Sequence, residues 1–291
     1  MATRINSDEI RISPNPPIFD LPILVGIEEK LFEKHGVKLS YSASHEDRGE
    51  NPNEQIVLKR LKESLFVEGK ADAYNVCEWG GIDRIERGTD TAKIASLRPA
   101  VAAQAIITFD SSITVPRDLA DVEVAINEFT GSHYTTVQLL ESALGLEHVK
   151  LKHVGEPGHR YEQVKAGKVR AATVMEPFIS LALKEGGHIV ALTFYRGAEI
   201  VNPDLSPEVR KGYFAAIDEA VALIRKDFGK YAHYITKRVA DRLKPEELGS
   251  QFVYYVPEEQ YELAKFDSAY QWMVARNLTH GQNSHGTLVV S

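Results

Sequence analysis

Residues 69–85 read GKADAYNVCEWGGIDRI, and residues 167–183 read GKVRAATVMEPFISLAL. The two stretches match at one constant offset, through the pairs Gly69/Gly167, Lys70/Lys168, Ala73/Ala171, Val76/Val174, Cys77/Met175 and Glu78/Glu176. In each stretch an apolar run follows the Gly-Lys pair, which is typical of a short buried strand. The match indicates an internal duplication, with one copy in each half of the chain.

The segments before these stretches correspond in the same order. Residues 8–13 and 121–127 alternate apolar and polar side chains, as strands do, and a helical pattern follows each of them. The elements expected next are helices 21–35 and 134–144, strands 37–41 and 149–153, and helices 53–68 and 159–166. Each half is therefore predicted to be a β-α-β-α-β unit, whose strands run parallel because helices connect them.

Two β-rich segments connect the halves. Residues 93–109 would cross from the first lobe to the second, and residues 189–194 would return. Helical patterns follow over 207–227, 231–242, 245–251 and 257–276, and the last dozen residues look loose. The sequence thus predicts an α/β fold of two Rossmann-like lobes with parallel-type sheets, two crossover strands and a helical C-terminal tail packed on lobe one. Residues 1–105 and 192–291 would form lobe one, and residues 106–191 would form lobe two.

The composition excludes several classes of protein. With 43% hydrophobic and 26% charged residues, the chain is neither disordered nor fibrous. Its net charge of −7 argues against nucleic acid as a partner, since nucleic acid binding requires a basic face. The sequence has no apolar run of about 18 residues, so the protein is not expected to be inserted in a membrane.

Cysteine content and the N-terminus bear on the compartment. Cys77 is the one cysteine, so no disulfide can form within the chain. The opening MATRINSDEIRIS lacks a basic stretch followed by an apolar one, the pattern of an export signal. We expect a cytoplasmic protein as the sequence stands, or a periplasmic or extracellular one if a leader has been removed.

A ligand of such a fold binds beyond the carboxyl ends of the strands, where helix N-termini present free N–H groups. Two facing lobes bring four loops to one cleft, namely residues 13–20, 76–81, 129–134 and 154–159, while Glu176 ends the last strand of lobe two. The candidate ligand-binding residues are Asn15, Phe19, Cys77, Glu78, Trp79, Gly80, Thr130, Gly131, Ser132, His133, Glu156 and Glu176.

Each loop also has an interpretation that needs no ligand. Asp20 can be the N-cap of the first helix, and Ser132 or Thr130 can be the N-cap of another. Trp79 can be a core aromatic residue, with Gly80-Gly81 as a tight turn after it.

Cys77 is the candidate catalytic residue. A thiolate is a strong nucleophile, but it forms only when a cation, a histidine or a helix N-terminus lowers the pKa of the thiol. A helix is expected to start within a few residues, whereas the neighbouring Glu78 opposes ionisation. Glu78 or His133 would be the partner in catalysis, and the alternative is a buried cysteine that acts as a small apolar residue.

No other pattern points to a cofactor. The histidines have neither H-x-x-x-H nor H-E-x-x-H spacing, so neither a metal site nor a cofactor is predicted. Phosphate-binding and G-x-S-x-G motifs do not occur, which leaves nucleotide hydrolysis and the α/β-hydrolase reaction without support.

Several stretches resemble one known family. The segments GKVRAATVMEPFISLALKEG (167–186), NEFTGSHYTTVQLL (127–140), LFEKHGVKLSY (31–41) and FVYYVPEEQYELAKFDSAYQWMV (252–274) are similar to the binding proteins for nitrate, sulfonate and taurine and for thiamin pyrimidines. The resemblance covers nearly the whole chain and implies the type II periplasmic binding protein architecture. It also implies an ABC transporter permease as partner if the protein is exported, with ligand contacts at Asn15, Cys77, Glu78, Trp79, Ser132, His133 and Glu156.

The same fold also hosts enzymes. An aromatic sulfinate desulfinase shares the proline-rich first loop and the aromatic-Gly-Gly turn at Trp79-Gly80-Gly81, but its nucleophilic cysteine lies in the first loop, where this chain has Asn15. The thiamin pyrimidine synthases carry a cysteine-rich motif that does not occur here.

Three functions follow as hypotheses. The first is a solute-binding protein that holds one small organic molecule, anionic or heteroaromatic, in the cleft. The second is a cytosolic enzyme on the same scaffold, a desulfinase-like lyase or hydrolase that uses Cys77. The third is a cytosolic sensor or sequestering protein.

Overall fold

The computed structural model of the protein describes residues 8–47, 49, 51, 54–88, 92–279 and 281–290. The strands are β1 (Glu9–Ile12), β2 (Lys38–Tyr41), β3 (Ala73–Cys77), β4 (Lys93–Thr108), β5 (Glu123–Ile126), β6 (Lys150–His153), β7 (Ala171–Val174), β8 (His188–Val201) and β9 (Val253–Tyr255). The helices are α1 (Pro17–Glu28), α2 (Leu31–Lys34), α3 (Leu61–Val67), α4 (Glu78–Glu86), α5 (Gly131–Glu141), α6 (Pro157–Lys165), α7 (Phe178–Lys184), α8 (Pro207–Lys226), α9 (Phe228–Thr236), α10 (Leu263–Val274) and α11 (His285–Leu288).

The strands described form one sheet, in the order β2-β1-β3-β8-β4-β7-β5-β6, with β9 beside β4. In each half the strand that comes first in sequence lies between the other two, so β1 lies between β2 and β3 and β5 lies between β6 and β7. All three strands of each half run parallel. The long strands β4 and β8 pair antiparallel with each other and connect the two halves. The predicted α/β fold, with two similar parallel units and two crossover strands, is therefore confirmed.

The first helix begins earlier than predicted. Pro17 is the first residue of α1, where proline is favoured because its missing N–H would have no partner and its φ is already helical. Asp20 is therefore not the N-cap but lies inside the first turn, fully buried. Its carboxylate accepts the backbone N–H of Asn15 at 2.8 Å, which ties the proline-rich loop to the helix.

The helix after β3 follows the strand directly. Cys77 caps α4, and its Sγ accepts the backbone N–H of Gly80 at 3.3 Å. Gly80 and Gly81 are thus helical and do not form a tight turn. A Cβ on Gly81 would lie 3.1 Å from Ile200 Cδ1, so the glycine lets α4 pack closely against β8.

The C-terminal segment is mostly helical, but it contains a strand that the sequence did not predict. Strand β9 pairs with β4 through Ala100↔Tyr255 and Ala102↔Val253. Residues 245–251, expected to be a helix, contain short 3₁₀ turns instead. No helix in the described part of the chain is both long and apolar enough to cross a membrane.

The tail contacts both halves of the molecule. Helix α8 packs on α1, whereas Arg242 pairs with Glu162 and Glu185 of the second half. The final residues are not loose, because the backbone N–H of Val290 bonds to the carbonyl of Ile94 at 2.8 Å and Leu288 is buried.

Candidate functional site

A cavity of about 250 Å³ lies between the two halves. All four predicted loops contribute to its wall, and the crossover strands supply Arg98, Gln104 and Tyr195. The volume lies just below the range of about 300–1,000 Å³ that is usual for drug-sized ligands, so the cavity suits a small molecule.

The structure brings most of the predicted residues together at this cavity. Those that line it are Asn15, Phe19, Cys77, Thr130, Gly131, Ser132, Glu156 and Glu176. The candidates that do not line it are Glu78, Trp79, Gly80 and His133. Both sets remain candidates for contact with a ligand, and the second set would need a change of conformation to reach it.

Trp79 faces the protein interior because α4 starts immediately after Cys77. Its ring lies 5.8 Å from that of Tyr134 and 6.1 Å from those of Tyr195 and Trp272. Glu78, the first residue of α4, is buried, and burial raises the pKa of its carboxyl group. The helix thus directs both side chains away from the cavity.

His133 is held by its own loop. Its Nδ1 accepts the backbone N–H of Phe129 at 3.1 Å, and its ring stacks on Tyr134 with centroids 5.2 Å apart. Burial lowers the pKa of His133 to about 4, so the ring is neutral at pH 7.

Cys77 lies at the cavity wall but is poorly placed for nucleophilic attack. Burial raises the pKa of its thiol to about 11, an effect that Arg84 and the Gly80 N–H only partly offset. No described hydrogen bond joins the thiol to Glu78 or His133, its two proposed partners. The thiol is therefore protonated at neutral pH, which does not favour the enzymatic alternative.

The feature that sequence reasoning missed is the number of basic side chains at the cavity. These are Arg60, Lys62, Arg84, Arg98, Arg160 and Arg238. The carboxylates at the same wall are Asp47, Glu63, Glu156 and Glu176. None of the basic residues lies in the four predicted loops. One signal was present in the sequence, because Arg98 interrupts the apolar segment 93–109, where a charged residue is rarely buried without a reason.

Arg98 occupies the floor of the cavity and is 1% exposed. Its Nη1 donates to Asn75 Oδ1 at 3.2 Å, and its guanidinium carbon lies 3.8 Å from the centre of the Phe19 ring. Its Nη2 is buried and has no hydrogen-bond partner among the described residues. No described carboxylate forms an ion pair with Arg98, although its charge acts on the buried carboxyl group of Glu199, and its Nη2 is an unused donor.

A polar network surrounds Arg98 on the side of the first half. Lys62 Nζ donates to Asn15 Oδ1 and to the carbonyl of Asn75, both at 3.1 Å. Asn75 Nδ2 donates to Asp20 Oδ1 at 2.7 Å, and Asn15 Nδ2 donates to Asn75 Oδ1. This network fixes the side chain of Asn15 at the wall, and burial lowers the pKa of Lys62.

Arg160 and Arg84 differ in how their charges are balanced. Arg160 donates to the carbonyls of Thr173 and Gly155, and burial lowers its pKa to about 9. Arg84, by contrast, pairs with the buried carboxylates of Glu63 and Asp83. Arg84 is therefore neutralised within the protein, whereas Arg98 and Arg160 hydrogen bond only to uncharged oxygens.

The N-terminus of α5 adds further donors. Thr130 Oγ1 bonds to the carbonyl of Asn127 at 2.7 Å, and Ser132 Oγ accepts the Asn127 N–H at 3.0 Å. These bonds shape the loop so that Gly131 and Ser132 line the cavity. The first backbone N–H groups of a helix lack partners within it and carry partial positive charge, so they favour an anion.

Within the described ranges, no group of three or more His, Cys, Asp or Glu side chains is arranged to hold a metal ion. The cavity combines basic side chains, amides and hydroxyls, which are groups that bind an organic anion through hydrogen bonds.

No protein family model matches the sequence, and no curated protein matches it either. Solved structures do share its fold. The alkanesulfonate-binding protein SsuA of Xanthomonas axonopodis pv. citri, bound to MOPS, has a TM-score of 0.75 at 15% identity, over 98% of this chain and 99% of that chain. The periplasmic aliphatic sulphonate binding protein SsuA of Escherichia coli has a TM-score of 0.71 at 16% identity, over 98% of each chain.

An enzyme has the same fold. The desulfurization enzyme DSZB has a TM-score of 0.63 at 14% identity, over 96% of this chain and 94% of that chain. At these identities the likeness concerns the fold and leaves the ligand open. The chain has the fold of the periplasmic binding proteins, in the two-lobed form that its sequence predicted.

Proposed function

We propose that the cavity binds one small organic anion and that the chain is the solute-binding component of an ABC import system. The observation that carries this proposal is Arg98, a buried guanidinium that has an unpaired Nη2 and no described carboxylate partner. A buried cation is costly unless an opposite charge is close to it. An acid group at the cavity floor would supply that charge and accept the unused N–H.

The surrounding groups support the same class of ligand. Arg160 and the N-terminus of α5 lie at the same cavity, and the hydrogen bonds of Arg160 go to neutral carbonyls. A sulfonate or carboxylate has two or three acceptor oxygens, so it can accept bonds from several of these donors at once.

The comparisons support the transport role. The SsuA proteins of similar fold are named for sulfonates, and another structure of this fold is a ligand-binding component of an ABC-type import system from Staphylococcus aureus. Two lobes around a cleft allow a ligand to be enclosed and released, which a carrier requires. A sulfonate is therefore the first ligand to test.

The test is titration calorimetry on the full chain, with MOPS, alkanesulfonates, aromatic carboxylates and pyrimidines as probes. Native mass spectrometry on the same mixtures would distinguish an intact bound compound from a product. We expect one class of anion to bind with a Kd in the micromolar range or below and to be recovered unchanged.

Two variants locate the site. Arg98→Met should weaken binding of the anion at least 10-fold, whereas Arg117→Met, which removes an exposed arginine that does not line the cavity, should leave it unchanged. Equal loss in both variants, or no anion bound by the wild-type chain, would contradict the proposal. Consumption of a compound, or its covalent attachment to Cys77, would support the enzyme instead.

A further inference from the structure

Three residues of the cavity wall each have a buried polar atom with no hydrogen-bond partner among the described residues. The atoms are Nη2 of Arg98, Oε1 of Gln104 and Oδ1 of Asn127. Buried polar atoms are nearly always paired, so each of these indicates a group that a ligand would supply. One of them is a donor and two are acceptors. An acid group can satisfy Arg98, but it cannot satisfy the two amide oxygens, because it has no hydrogen to donate once ionised.

The two unpaired acceptors lie at one end of the cavity. Gln104 is on β4, next to Met175, whose Sδ lies 3.9 Å from Gln104 Nε2. Asn127 follows β5 directly, and Glu176 follows β7 by two residues. Since β4, β7 and β5 are consecutive neighbours in the sheet, these three residues lie on or just after adjacent strands, on the side of the second half. We call Gln104, Asn127 and Glu176 the acceptor end.

Arg98 faces the cavity from the other half. It contacts Asn75 of β3 and Phe19 of α1, and both of these belong to the first half of the sheet. The guanidinium carbon lies 5.4 Å from the centre of the Tyr195 ring. The donor therefore belongs to the first half and the acceptors to the second, with the Tyr195 hydroxyl close to both Arg98 and Gln104.

Glu176 adds a carboxylate to the acceptor end. It is fully buried, and its oxygens accept bonds from the backbone N–H of Ser180, at 3.0 Å, and from the Ser180 hydroxyl. No described lysine or arginine pairs with it. A buried carboxylate without a cation is unfavourable, and an ammonium or N–H group of a ligand would remove that cost.

We propose that the acceptor end selects ligands that carry an ammonium or N–H group in addition to their acid group. This inference rests on the proposed function, because it assumes that the acid group of the ligand lies at Arg98. The ligand class is then an amino- or amido-substituted organic acid, and a plain alkyl acid fills the cavity without satisfying Gln104, Asn127 or Glu176.

The test compares acids of matched length on the full chain. The probes are 3-aminopropanesulfonate against butanesulfonate and 4-aminobutyrate against pentanoate, with butylamine as the partner that lacks an acid group. In at least one pair, calorimetry should show that the amino-substituted acid binds at least 10-fold more tightly than the alkyl acid.

Glu176→Gln should abolish that preference, whereas the exposed control Glu246→Gln should leave both the preference and the affinity of the alkyl acid unchanged. Gln104→Met, which removes the acceptor at similar shape, should reduce the preference as well. The second variant decides the question if thermal unfolding shows that Glu176→Gln does not fold.

The outcomes separate this inference from the proposed function. Equal binding of the alkyl and amino forms would overturn the acceptor end and leave anion binding intact. Butylamine binding as tightly as the amino acids would overturn the role of Arg98 and leave the acceptor end. If no probe of either kind binds, both are overturned.

Discussion

The Nε atom of Arg84 lies 3.1 Å from Oε1 of Glu63, and both side chains are 1% exposed. Asp83 lies on the other side of the same guanidinium, with 3.2 Å between Oδ2 and Nη1. Arg98 lines the same cavity and is equally buried, but no described carboxylate pairs with it. Two buried arginines at one site therefore have different consequences for stability and for binding.

Replacing Arg84 should destabilise the fold. Arg84→Met would leave Glu63 buried without its ion-pair partner and Asp83 with Arg87 alone, and removal of one partner of a buried ion pair typically costs about 3–5 kcal/mol. Urea denaturation should show a loss of this size, against a change within about 0.5 kcal/mol for the exposed Arg117→Met. An unchanged midpoint in Arg84→Met would show that the carboxylates find other partners.

Replacing Arg98 should have the opposite effect on stability. Arg98→Met removes a buried charge that the protein does not pair, so the free energy of unfolding without ligand should stay the same or rise. Binding of the anion should fall in the same variant. If thermal unfolding shows that Arg98→Met is several kcal/mol less stable, its bonds to Asn75 and the contact with Phe19 are needed for the fold.

The thiol of Cys77 should be inert near neutral pH. Its pKa is raised to about 11 by burial, against an ordinary value of 9.0, so the thiolate is rare until the pH approaches 11. Alkylation by iodoacetamide at pH 8, followed by intact mass, should be about 100-fold slower in the folded chain than in the urea-unfolded chain. Rapid labelling of the folded chain at pH 7 would restore Cys77 as a candidate nucleophile.

The stability of the protein should fall with rising pH through the titration of Glu176. Burial raises the pKa of this carboxyl group from 4.5 to about 7, so the folded state binds its proton more tightly than the unfolded state does. The stabilisation is complete below pH 4.5 and is lost as the pH rises through 7. Relative to Glu176→Gln, the wild-type free energy of unfolding should drop by up to roughly 3 kcal/mol between pH 4.5 and 8.

Denaturation of the two proteins side by side at each pH measures this difference. Contributions from other titrating groups cancel in the subtraction. Parallel curves for wild type and variant would mean that Glu176 is ionised at neutral pH in the folded protein.

The tail should be attached to the second half by ion pairs of moderate strength. Arg242 Nη1 lies 2.6 Å from Glu162, and Nη2 lies 2.7 Å from Glu185. Because these side chains are partly exposed, Arg242→Leu should cost about 1 kcal/mol, and less at high salt. Urea denaturation at low and high sodium chloride measures both effects, with Arg117→Leu as the control; a loss that is independent of salt would point to the packing of Arg242 on Tyr161.

Local patterns predicted the sheet, whereas long-range pairing did not follow from them. The alternating segments and the repeated Gly-Lys motif are properties of short windows, so β1, β2, β5 and β6 were predicted with nearly correct bounds, and β3 and β7 were placed after their Gly-Lys pairs. Strand β9 has only three residues between 3₁₀ turns and a loop, and it is a strand because β7 pairs only with residues 105–107 of β4 and leaves residues 100–102 open to it. Such an edge is visible only in the folded chain.

The position of the candidate site was predicted more accurately than the side chains that form it. The strand-end rule located the loops at Asn15, Gly131 and Glu156, which all line the cavity. The directions of Glu78 and Trp79 depend on the residue at which α4 starts, and the sequence did not show that Cys77 itself is the cap. Arg98 and Arg160 belong to a strand and a helix, outside the loops considered, although an arginine within the apolar segment 93–109 was a visible anomaly.

Strands β4 and β8 form both the connection between the halves and the floor of the cavity, through Arg98, Gln104 and Tyr195. Any rotation of one half against the other must bend or twist these two strands, and their pairing is already irregular between Leu97 and Val101. A molecule that rests on this floor would touch the strands that such a rotation bends. Recognition of a ligand and resistance to that rotation would then depend on the same few side chains, and a substitution that alters one of them should alter the other.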